Sequence, residues 1–279
     1  MPEDKIFEKL QKLKDELEIC KNHLGFWTNS LDELADIQDA FSTDENIEIN
    51  LDKATILDIG TDCVKPLYIA LKFKPDKIIG IDECLLQFAS DIQRKSKLLL
   101  KETKIRFYKC GLFNDQKLQQ ILRKEKINNF DLVLVSKALH HLRTGKCVAK
   151  KRDKKHVCKK DEGRKDCIYG FEGEKIFPRL LELGEKVLIY EFFDPNEEDD
   201  DKRGGRGGYF TIKELERMFK YLMGKYEVHF IRPQKFILTK QTFSNIYRIL
   251  KQVDIICFYI ENIKVETHVP TLDKKRSVP

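Results

Sequence analysis

Two adjacent histidines, His140 and His141, follow the apolar run FDLVLVS and the short segment KAL. Imidazole titrates near neutral pH, so either ring can take or give a proton; the plainer alternative is one ring packed and the other bonded to a loop carbonyl. Glu191, near the end of a second apolar run, KVLIYEFF, is an acid placed by the same logic to face that region. Between them in sequence, Cys147, His156, Cys158 and Cys167 fall within 21 residues. Three thiols and one imidazole are a recognised structural zinc set, and a metal would let so polar a stretch hold a shape without a core. The stretch has no C-x-x-C pair, and the same residues also fit a disordered basic loop with incidental thiols. A last set is upstream: Asp58 and Gly60 end one apolar run, Pro66 opens a helical pattern, and Asp82 ends the next run, 22 residues beyond Gly60. A glycine lets backbone come close to a ligand, a helix N-terminus offers free N–H groups, and an acid about twenty residues on can accept hydrogen bonds from ribose hydroxyls.

Positioning these groups requires a regular frame. From Ala54 onward, short apolar runs alternate with helical patterns: TILDIG, a helix after Pro66, IIGID, a helix through Leu98, IRFYKC, a helix through Leu122, then FDLVLVS and KVLIYEFF. Such alternation marks βαβ units on a parallel sheet, whose central strands read as continuous apolar runs because both faces are covered. Thr211 and Glu214 have capping-box spacing and start a helix through Phe219, ahead of two closing strands, YEVHFI and DIICFYIENI. At the amino end, Ile6, Leu10, Leu13, Leu17 and Leu24 recur at helical spacing, and Ser30 with Glu33 begins a second helix. The expected fold is α/β: a Rossmann-like, seven-stranded, mostly parallel sheet flanked by helices, with an N-terminal helical cap. The expected units are a helical extension over residues 1–50, a main domain over 51–263 with a basic Cys/His insertion at 143–173, and a flexible tail over 264–279.

The strand ending in Leu57-Asp58-Ile59-Gly60, the helix opened by Pro66 and the strand ending in Gly80-Ile81-Asp82 together resemble class I S-adenosylmethionine-dependent methyltransferases. The resemblance spans roughly Ala54 to Ile263 and implies S-adenosylmethionine as cofactor. It implies that Asp58 orients the turn and the methionine amino group, and that Asp82 holds ribose. The segment Ser136-Lys137-Ala138-Leu139-His140-His141 resembles the one that lines the methyl-transfer pocket, which adds Ser136 to the cofactor residues and makes His140, His141 and Glu191 the candidate catalytic groups. Where family members commonly carry glycines, this chain has Asp62 and Val64, and Cys110 and Gly111 stand where a polar residue often meets adenine.

Charge suggests the substrate. The net charge is +6, yet between Arg143 and Lys165 eleven Lys or Arg face three acids, a local +8 that leaves the rest of the chain slightly acidic. Such a block attracts polyanions, and Arg203 and Arg206 in KRGGRGG add a second flexible contact. The leading expectation is therefore an S-adenosylmethionine-dependent methyltransferase acting on RNA. The alternatives are methylation of a protein or small molecule, and a non-catalytic methyltransferase-like subunit that binds RNA or a partner. Eight scattered cysteines read as reduced thiols. With no run of eighteen apolar residues, no membrane association is expected, and the location is intracellular, cytoplasmic or nuclear.

Overall fold

The computed structural model describes residues 3–16, 51–61, 64–83, 89–100, 102–139, 173–194, 210–232, 236–253 and 255–263. The helix α1 spans Glu3–Glu16; Ile6 and Leu10, one turn apart, are buried by it. The rest of the expected first helix, and the one beginning at Ser30, lie outside the described residues. Four βα steps follow. They are β1 (Thr55–Ile59) to α2 (Lys65–Phe73), β2 (Lys77–Asp82) to α3 (Ala89–Leu99), β3 (Lys104–Lys109) to α4 (Asp115–Glu125), and β4 (Phe130–Ser136) to α5 (Gly173–Leu183). The chain then forms β5 (Gly184–Asp194), β6 (Phe210–Thr211), α6 (Ile212–Met223), β7 (Tyr226–Arg232), β8 (Phe236–Ile237), α7 (Lys240–Phe243), α8 (Ile246–Leu250) and β9 (Ile255–Asn262).

These strands form one sheet in the order β3-β2-β1-β4-β5-β9-β7-β8, with β6 paired to β5. The five strands β1 to β5 run parallel, and β9 enters antiparallel between β5 and β7. The fold is thus the Rossmann-like α/β sandwich expected from the sequence, with one correction. Among the described residues the sheet has nine strands rather than seven, because two-residue strands, β6 and β8, join the seven principal ones. A strand of two residues is too short to show a period of two, so neither leaves a sequence signal. The helix α5 is also absent from the sequence reading. Pro178 interrupts it by removing one donor, yet Ile176, Phe177, Leu180 and Leu183 give it a buried stripe against the sheet. Among the described residues, no helix is long and apolar enough to cross a membrane.

Two apolar cores lie on the two faces. One joins Ile6 and Leu10 of α1, Leu67 to Leu71 of α2 and Ile92 of α3 to Ile56, Leu134, Leu188 and Tyr190 of the sheet. The other joins α4, α5 and α6 to Leu57, Val133, Ile189, Phe230 and Phe258. Phe219 meets Phe230 and Phe258 edge-on at 4.8 and 5.2 Å, which locks α6 onto the antiparallel pair β7 and β9.

The outer strand β3 is held by charge. Glu125 at the end of α4 is buried, and its carboxylate accepts from Lys104 at 2.9 Å and from the Tyr108 hydroxyl at 2.6 Å. Lys77 of β2 lies 3.6 Å from the same carboxylate and donates to the Glu125 carbonyl at 2.6 Å. Burial pushes this carboxyl up, but the Tyr108 and Lys104 hydrogen bonds and the Lys104 and Lys77 charges outweigh it and hold it below its ordinary value. The same burial and the neighbouring carboxylate push the Tyr108 phenol up. A depressed carboxyl contributes stability above its unfolded value, about 4.3, and loses it as pH falls through the folded value. Glu125→Gln is therefore expected to cost about 1–3 kcal/mol near neutral pH. Its melting temperature should converge on that of the parent as the pH falls below about 4; a deficit independent of pH in thermal unfolding would contradict this account.

Candidate functional site at the carboxyl edge of the parallel strands

At the carboxyl ends of β1, β2 and β4 the backbone turns in a way that only certain residues allow. Gly60 has φ +70°, in the left-handed region, and a Cβ built there would lie 2.3 Å from the Cβ of Ala138. The conformation strains any side chain, and the space admits none. The turn is held toward β2: the amides of Gly60 and Thr61 both donate to the Ile81 carbonyl, at 2.9 and 3.3 Å. On the opposite side, Lys137 also takes a left-handed φ, +51°, and its amide donates to the Tyr190 carbonyl at 2.8 Å. A left-handed lysine is uncommon backbone; it bends the chain after β4 so that Ala138 closes on Gly60.

Register places the sequence-derived cofactor residues around this turn. Asp58 pairs with Gly80 and with Leu134, and Ser136 follows Leu134 by two. By alternation, Asp58, Asp82 and Ser136 share one face of the sheet, the face of α1, α2 and α3. Asp58 and Ser136 are buried, and Asp82 is half-buried with its carbonyl accepting from the Cys110 amide at 2.9 Å. The Ser136 hydroxyl is buried and has no hydrogen-bond partner among the described residues. Glu191 is fully buried at the same end of β5 and pairs with Ile256; it stands one residue past Tyr190, the partner of Ser136, and so on the other face. His140 and His141 lie outside the described residues, immediately after the buried pair Ala138 and Leu139. The metal candidates Cys147, His156, Cys158 and Cys167 also lie outside them, as does Asp62.

Several groups at this edge carry no sequence signal of their own. Val64 is buried in the apolar core with Leu67. Lys65, the first residue of α2, is 2% exposed, an uncommon position for an ammonium, and it adds positive charge to a helix N-terminus. Glu83, directly after Asp82, reaches Gly111: a Cβ built on Gly111 would lie 2.1 Å from its Oε1. An acid thus reaches the end of β3, where the sequence offers only Cys110 and Gly111. The Cys110 thiol is buried and is pushed up chiefly by that burial, against the opposing charge of Lys117, so it stays protonated. A separate groove, lined by Ser96, Lys97, Glu102 and Arg106, lies at the amino end of β3 and contains none of the expected site residues.

The arrangement fits a nucleoside-bearing cofactor on structural grounds. A side-chain-free turn, a helix N-terminus, an acid on the neighbouring strand and an unpaired buried hydroxyl converge on one edge, where the crossovers leaving the adjacent strands β1 and β4 run to opposite sides.

No family model matches the chain, and no curated protein sequence matches it. Solved structures do. A cyclopropane-fatty-acyl-phospholipid synthase-like protein from Lactobacillus casei aligns with TM-score 0.43 and 9% identity, covering 76% of this chain and 85% of that one. Geranyl diphosphate C-methyltransferase from Streptomyces coelicolor, solved with Mg2+, geranyl diphosphate and S-adenosyl-L-homocysteine, aligns with TM-score 0.44 and 9% identity over 84% and 81%. TrmK from M. capricolum, solved with S-adenosyl-homocysteine, gives TM-score 0.37 and 13% identity over 85% and 71%. The substrates named there are those proteins' own, and the fold described above stands on its strand order.

An unpaired buried hydroxyl costs stability, so Ser136→Ala should leave the melting temperature unchanged or raise it. If the hydroxyl serves a ligand, the same variant should bind S-adenosyl-homocysteine more weakly by calorimetry. A clear loss of stability in Ser136→Ala would show instead that the hydroxyl is a structural bond.

Proposed function

We propose that this chain is an S-adenosylmethionine-dependent methyltransferase and that its substrate is RNA. The observation that carries the first part is the Gly60 turn, closed to side chains by Ala138 and flanked by Asp58 and Asp82. The second part is supported by the local +8 of residues 143–165, which come in sequence between the carboxyl end of β4 and α5.

When bound, S-adenosylmethionine supplies an activated methyl group on a sulfonium. Asp82 would accept from the ribose hydroxyls, and the backbone around Gly60, with the N-terminus of α2, would receive the methionine end. Asp58 supports that turn from below, and the Ser136 hydroxyl offers a bond beside it. Methyl transfer is an in-line displacement, so the protein chiefly positions the acceptor and removes its proton where necessary. His140 or His141, three or four residues beyond Lys137, would take that proton; Glu191, buried at the next strand, would hold the surrounding segment.

Calorimetry with S-adenosyl-homocysteine is expected to show one site, weakened about 10-fold or more by Asp82→Ala, as the loss of a charged acceptor of about 1.5–3 kcal/mol implies. Methylation of an RNA pool should fall steeply between low and physiological salt, because basic contacts to phosphate release counterions. Absence of binding in the parent, or no change in Asp82→Ala, would falsify the cofactor assignment. Salt-insensitive activity without RNA retention would leave the cofactor in place and move the substrate to a protein or small molecule.

A further inference from the structure

At the opposite end of the sheet, β7 and β9 bring together three groups that have nothing to do with the Gly60 edge. Glu227 pairs with Glu261 across the two strands, and His229, two residues on, pairs with Tyr259. Alternation puts all three polar groups on one face. Their ligand atoms, one from each residue, lie within 4.8 Å of one another, and among the described residues no other His, Cys, Asp or Glu group is so assembled. The level of Glu261 is that of Lys186 on β5, four residues before Tyr190 and Ser136, or about 13 Å along the strands from the Gly60 edge.

His229 is the informative member. Its Nε2 is 2.9 Å from Glu227 Oε1 and 3.6 Å from Glu261 Oε1. The atom is buried, yet it makes no hydrogen bond to either carboxylate. At 2.9 Å the separation to Glu227 suffices, so there the direction fails, while Glu261 at 3.6 Å stands just beyond hydrogen-bond reach. The ring is not free to correct this, because it stacks on Tyr259 with centroids 4.3 Å apart and planes 5° from parallel. Two carboxylates thus flank a buried nitrogen without bonding to it, and all three ligand atoms lie close enough to share one centre.

We propose that Glu227, His229 and Glu261 form a binding site for a divalent metal of the zinc class. Bonds of about 2.0–2.2 Å in a tetrahedral set place ligand atoms roughly 3.3–3.6 Å apart, close to the 2.9 and 3.6 Å separations here. The charge agrees: two carboxylates lie beside each other with Lys186 opposite Glu261, a row that stays net negative and that a dication held by a neutral imidazole would neutralise. Glu227, with its side chain 40% exposed, opens the site to solvent for entry and for a fourth, water ligand. Spanning β7 and β9, the ion would clip the antiparallel pair that closes the sheet. The assignment is independent of cofactor binding and of methyl transfer.

The test uses the full chain carrying Cys147→Ser, Cys158→Ser and Cys167→Ser, which removes the thiolates of the basic insertion. After equilibration with zinc and buffer exchange, metal analysis should find one equivalent, and zinc should raise the melting temperature. Adding His229→Ala should abolish both effects. Glu261→Gln, nearly isosteric and retaining the strand pairing, should weaken zinc binding by calorimetry about 100-fold or more, since even changes outside the ligand shell cost about 10–100-fold. No stoichiometric zinc in the triple serine chain overturns the proposal, as does zinc binding that Glu261→Gln leaves unchanged. The glutamine variant decides the matter if His229→Ala fails to fold.

Discussion

The approach of Gly60 to Ala138 is the constraint on which the carboxyl edge depends. The central strands β1 and β4 run side by side in parallel register, and the chain leaves each of them at nearly the same level, Gly60 opposite the residue after Val135. Two backbones leaving adjacent strands must diverge or touch. Here they touch, and the contact is possible because position 60 has no side chain, while Gly60 and Lys137 both adopt a left-handed φ. Hydrogen bonds to Ile81 and Tyr190 fix each turn to the strand beyond it, so four strands share one geometry. An edge built this way is set by backbone rather than by mobile side chains, which is what the proposed methyl donor would need to be held in line with an acceptor.

The two ends of the sheet solve different problems. At the amino end, buried charge is satisfied within the protein: Glu125 gathers Lys77, Lys104 and Tyr108 and ties the outer strand β3 to α4. The edge of β3 is also blunted, since Gln93 Oε1 accepts from the Phe107 amide and Arg106 donates to the Ile105 carbonyl. Such capping removes the free backbone groups that would otherwise recruit another strand. On the far side, aromatic packing of Phe219, Phe230 and Phe258 secures one face of β7 and β9, while the other face carries Glu227, His229 and Glu261.

How much of this is legible in sequence follows from the range of the interactions. The parallel strands are readable because burial on both faces makes TILDI and FDLVLVS continuous apolar runs. The strand-end positions of Asp58, Gly60 and Asp82 are readable because the alternation of apolar runs and helical patterns shows where β1 and β2 stop. Lys137 is not, since a lysine gives no sign of a left-handed backbone that is enforced by the strand beside it. Nor is the Glu125 network, whose partners lie 17 to 48 residues away in sequence. The pair Glu227 and His229 is visible as an alternation, but Glu261 joins it only through a register that contains an irregularity between Phe230 and Arg232.

Polar burial is concentrated at one edge of the sheet. Among the described residues, eight polar or charged side chains are buried, and five of them, Asp58, Thr61, Lys65, Ser136 and Glu191, lie at the carboxyl edge. Apolar residues of similar volume would pack there at no desolvation cost and would often stabilise the protein. The N-terminus of α2 sharpens the point, because a buried lysine opposes the helix dipole instead of complementing it. A purely apolar core would contain no carboxylate, ammonium or unpaired hydroxyl at these strand ends. Such a cluster is stable in a protein only when the apolar layers on both faces outweigh it, and the continuous cores through Leu57, Val133 and Ile189 on one side and Ile56, Leu134 and Leu188 on the other supply that margin.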